Sequence, residues 1–178
     1  MRADAGATSR MAQEWIETLA QDIKQSNREA AQDYGRAQHY AGIVSTLGKE
    51  FFVALATCLR ENVDALRSQL QGDPTSSDTQ FETVKPDEVK IARARFPWID
   101  AQLTHRDDTI ALDYAKGLGA KALGVAGDPA LDRKTRIFAL RVAADDTLFV
   151  EDAFTEPPQQ YRKPEDLARH ITEILFGT

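Results

Sequence analysis

SRMAQEWIETLAQDIKQSNREAAQDYGRAQHYAGIVSTLGKEFFVALATCLRENVDALRSQLQ, residues 9–71, has no proline and carries aliphatic side chains at helical spacing. Met11, Trp15, Ile16, Leu19 and Ile23 form one apolar arm. The large aliphatics then stop until Ile43, Val44, Leu47, Phe51, Phe52, Leu55, Leu59, Val63, Leu66 and Leu70 form a second. Each arm has one face to bury. As an unbroken helix the run would be about 94 Å long at ~1.5 Å per residue, against roughly 35 Å for a compact domain made from the rest. The expectation is therefore a helical hairpin, with its corner at Asp33-Tyr34-Gly35 or, second, at Ser45-Thr46-Leu47-Gly48, where a glycine can cap a helix. The alternative is an arm that meets another chain.

Outward from this run, residues 1–8 are small and polar and read as a disordered terminus. Turn formers crowd 72–78, from Gly72 through Pro74 to Asp78, and read as a linker. The period then becomes two. Strands are expected at 81–85, 89–95, 98–104 and 109–115, then at 136–143 and 147–154, where Ile99, Ala101 and Leu103 alternate with Asp100, Gln102 and Thr104. Residues 116–134 form a long glycine- and alanine-rich connection. A C-terminal helix over 163–176 has Pro164 in its first turn and Leu167, Ile171, Ile174 and Leu175 as its stripe. The expected fold is a single α+β domain over 9–178. In it a mostly antiparallel meander, 79–154, is covered on one face by the helices. Its expected core is Phe52, Leu55, Leu59, Val89, Ile91, Leu103, Ile110, Leu112, Phe138, Leu140, Leu148, Val150, Leu167 and Ile171.

Composition narrows the partners. A chain of 178 residues with 42% hydrophobic side chains has enough for one good core. A net charge of −6, without a basic tail, argues against nucleic acid. No apolar run reaches the ~20 residues of a membrane span, and no apolar signal segment opens the chain, so the cytoplasm is the expected location. The lone Cys58 sits among Leu55, Ala56 and Leu59 and reads as a small buried hydrophobe.

No catalytic, nucleotide-binding or cofactor signature stands at the spacing its chemistry needs. Gly117, Gly119 and Gly124 lack the Gly-Lys-Ser/Thr ending of a P-loop and the βαβ context of a dinucleotide site. His39, His105 and His170 form no paired zinc motif, and no serine stands in a Gly-x-Ser-x-Gly elbow. Two weaker candidates remain. Arg93, Arg95, Trp98 and His105 could grip a small anionic ligand beneath the 116–134 loop, acting as a lid, in a binding domain or an enzyme. Asp107-Asp108 and Asp145-Asp146, in two similar Asp-Asp-Thr turns, would gather four carboxylates at one end of an up-and-down sheet, enough for Ca²⁺ or Mg²⁺. Aspartate is also an ordinary turn former. The leading expectation is a non-enzymatic interaction module without a cofactor. It would associate with itself, as a homodimer, or with another protein through its helical arms at Trp15, Leu19 and Ile23.

Overall fold

The computed structural model describes residues 5–70, 79–93, 98–117 and 133–177, with the side chains of the first helix from Trp15 onward. The chain is α+β: helix α1 (Ala5–Gln69), strands β1 (Thr79–Lys85), β2 (Glu88–Arg93), β3 (Trp98–Arg106), β4 (Thr109–Gly117), β5 (Lys134–Val142), β6 (Leu148–Asp152) and β7 (Gln159–Tyr161), and helix α2 (Pro164–Phe176). All seven strands join one antiparallel sheet in sequence order. Two-residue connections at 86–87 and 107–108 make β1–β2 and β3–β4 antiparallel neighbours, because only antiparallel strands can be joined so tightly.

The hairpin expectation is corrected. α1 is one helix of 65 residues and makes a corner neither at Asp33-Tyr34-Gly35 nor at Ser45–Gly48. A glycine inside a helix costs only about 1 kcal/mol relative to alanine, so Gly35 permits a break without imposing one. The expected linker 72–78 and residues 1–4 of the expected disordered terminus lie outside the described residues, and α1 starts at Ala5.

The chain divides into two compact units, Met1–Ala41 and Gly42–Thr178. In the first, every described side chain from Trp15 to His39 is exposed. In the second, Phe51, Phe52, Leu55, Leu59 and Val63 of α1 join Leu167, Ala168, Ile171 and Leu175 of α2 over the inward residues of the sheet. Ile99, Ala101, Leu103 and His105 of β3 face inward, whereas Trp98, Asp100, Gln102 and Thr104 face the wet side. The expected core is buried except for Leu148, which is only partly covered. Gly48 lets α1 approach the sheet: a Cβ there would meet Leu140 Cδ1 at 3.1 Å and His105 Nε2 at 3.2 Å. The two helices are tied by the Asn62 amide donating to Thr172 Oγ1 at 3.1 Å.

Candidate functional site

The structure does not gather the expected ligand site. Arg95 and most of the 116–134 loop lie outside the described residues. Arg93 pairs with Ile99 in the sheet, six residues from His105 along β3, which is about 20 Å at ~3.3 Å per residue. Trp98 projects from the opposite face. Alternation and register separate what closeness in sequence suggested.

His105 is instead part of the core. Its ring stacks on Phe52 at a centroid distance of 5.7 Å. Burial pushes its imidazole below the ordinary value of 6.5, helped by Lys49 and opposed by Asp87 and Asp107. A histidine held neutral in the folded state takes up its proton more readily when unfolded. Its contribution to stability is therefore complete above about pH 6.5 and is lost as pH falls through that value toward the lowered one. The urea midpoint should drop between pH 7 and pH 5, and His105→Gln should flatten that drop.

The two Asp-Asp-Thr turns do lie at the same end of the sheet, since β4 and β5 are adjacent and antiparallel. They are not level. Leu140 N donates to the Asp108 carbonyl at 2.7 Å, and β5 runs on to Val142 before it turns. Asp145 accepts from Thr147 Oγ1 at 2.6 Å, and that bond is the main reason its carboxyl titrates below the ordinary value. Asp107 and Asp146 adopt positive φ, 48° and 61°, a conformation aspartate tolerates in turns. Among the described residues no group of three or more His, Cys, Asp or Glu is placed to hold a metal ion.

Trp15, Leu19 and Ile23 are 65%, 43% and 52% exposed, joined by Ile16 at 57%. Their spacing puts them on one face of α1. By length and composition alone, α1 from Trp15 to Gln69 also contains an 18-residue window of mean hydropathy 1.4, apolar enough to cross a membrane, and 33% of that window is buried inside the protein. The exposed pair Lys49-Glu50 interrupts the apolar residues of this region, so no continuous run marks it in the sequence. A core helix of a soluble protein meets the same criterion.

One constellation is completed only by the tertiary structure. Asp152, fully buried on β6, accepts from Arg136 Nε at 2.9 Å and Nη2 at 2.5 Å, while its other oxygen accepts from Phe154 N at 3.0 Å. His170 of α2 brings Nε2 to 3.3 Å from the same carboxylate, without the alignment of a hydrogen bond. Tyr161 of β7 stacks on that imidazole at 5.4 Å, and its hydroxyl is buried without a hydrogen-bond partner. Burial and the nearby Asp152 charge push the phenol up to about 12. Part of this cluster is legible in the sequence, for Arg136 and Asp152 hold inward positions in strands where their neighbours Phe138, Leu140 and Val150 are apolar. The convergence of Tyr161 and His170 requires β7 and α2 to be in place.

No protein family, characterised protein or solved structure matches this chain.

Proposed function

We propose that the protein is a non-enzymatic assembly module that associates with a second copy of itself through the apolar face of α1 at Trp15, Leu19 and Ile23. The exposure of these side chains, with Ile16 beside them, carries the reading. A helix bearing Ser26, Asn27 and Gly35 gains little from intrinsic propensity, and most helical stability in proteins comes from packing an apolar face. Burying a fully exposed side chain of this kind is worth about 1.5–3 kcal/mol, and these three keep 43–65% of their surface to be covered. Self-association is favoured over a strongly charged partner because residues 15–41 carry four acidic and three basic side chains. The acidic excess of the chain lies elsewhere, so two copies of this segment repel each other little.

Light scattering across a concentration series tests the proposal. The protein should pass from monomer to dimer as concentration rises, and Leu19→Asp/Ile23→Asp should remain monomeric while circular dichroism still reports the sheet. A wild-type protein that is monomeric up to hundreds of micromolar would overturn it.

A further inference from the structure

We infer that two copies of the chain meet through α1 in antiparallel orientation, as a short two-stranded coiled coil over residues 15–41 centred at the level of Arg28. The inference rests on the self-association proposed above and adds its geometry. Spacings of three and four alternate without a break from Ile16 and Leu19 to Ala37 and Tyr40, with Asp33 at one of the steps, and such alternation is the seam of a coiled coil. Every described side chain from Trp15 to His39 is exposed, so nothing within one chain covers this seam. Beyond Ala41 the helix has other neighbours, for Val44 packs against the core and Gly48 is buried.

Charge and size select the orientation. In a parallel pair in register each seam residue meets its own copy. Asp33 would then face Asp33 inside the seam, two like charges at close range. Leu19 would meet Leu19 while Ala37 met Ala37, which holds the helices apart at one end and leaves a gap at the other. Turned antiparallel, Leu19 faces Ala37 of the second copy and Trp15 faces Ala41, large on small in layers of even width. Each Asp33 faces Ile23, so no layer holds two carboxylates. Asp22 comes beside Arg36 of the second copy, and the two-fold symmetry makes this attractive pair twice. A parallel pair would keep the same residues about 21 Å apart at ~1.5 Å per residue. Glu29 meets its own copy only at the exposed rim, where water and salt screen the repulsion, and it already accepts from the Gln25 amide at 2.7 Å.

The test is disulfide formation under oxidation in full-length chains whose native thiol is removed by Cys58→Ala. Leu19→Cys and Ala37→Cys are made separately, one with an affinity tag so that linked species differ in mass. Mixed, they should form a covalent heterodimer at least tenfold faster than either alone forms a linked homodimer. In light scattering, Arg36→Asp should weaken the dimer and Asp22→Arg added to it should restore it. All four positions are exposed, and circular dichroism checks that each variant keeps its sheet. A dimer in which Leu19→Cys links to itself faster than to Ala37→Cys overturns the antiparallel geometry and leaves self-association standing. So does a dimer that forms no link in the mixture, or one that the double charge variant fails to restore. A wild-type chain that stays monomeric up to hundreds of micromolar overturns both.

Discussion

Asp152→Ala should destabilise the protein by about 3–5 kcal/mol, the range for removing one partner of a buried ion pair. The carboxylate is completely buried and accepts from Arg136 and from the Phe154 backbone N–H. Its loss leaves both donors unpaired and the guanidinium uncompensated beneath α2. The Arg136 side chain keeps 20% of its surface exposed, so it can recover some hydration, which places the result toward the lower end. Urea unfolding followed by circular dichroism measures the change. A loss under 1 kcal/mol would mean that Arg136 swings out to water and that the pair contributes little. Replacing both residues together, Arg136→Met with Asp152→Leu, should recover most of the loss, because desolvating two charges offsets much of what their attraction provides.

Phe52→Ala should cost a comparable 3–5 kcal/mol, by lost transfer free energy and by the cavity left behind. Phe52 is 1% exposed and lies in the same core as Leu55, Leu103 and Leu140. It also covers His105, so the variant should admit water to that imidazole and weaken the pH dependence between pH 7 and pH 5. The neighbouring Val53 is 58% exposed, and Val53→Ala should stay within about 0.5 kcal/mol of wild type. Equal and small effects at both positions would show that the second half of α1 is not an integral part of the core around the sheet.

Local patterning determined a good deal. Alternation of period two marks which side of β3 is wet, because successive strand residues must point to opposite faces whatever they pack against. The stripe Leu167, Ile171 and Leu175 likewise identifies the buried face of α2, since 3.6 residues per turn is a property of the backbone. The turns at Asp107-Asp108 and Asp145-Asp146 follow from residues that tolerate unusual backbone angles. Tertiary structure decided the rest. Gly35 could end a helix or lie within one, and the small penalty for the latter leaves the choice to context. The three residues of β7 carry no alternation long enough to read, and they form a strand because β6 offers them an unpaired edge. Trp98 and His105 stand on one strand yet on opposite faces. Tyr161 and His170 meet beside Asp152 only after two elements distant in sequence from Arg136 have packed on the same end of the sheet. Such a meeting depends on distances through space, which no local period encodes.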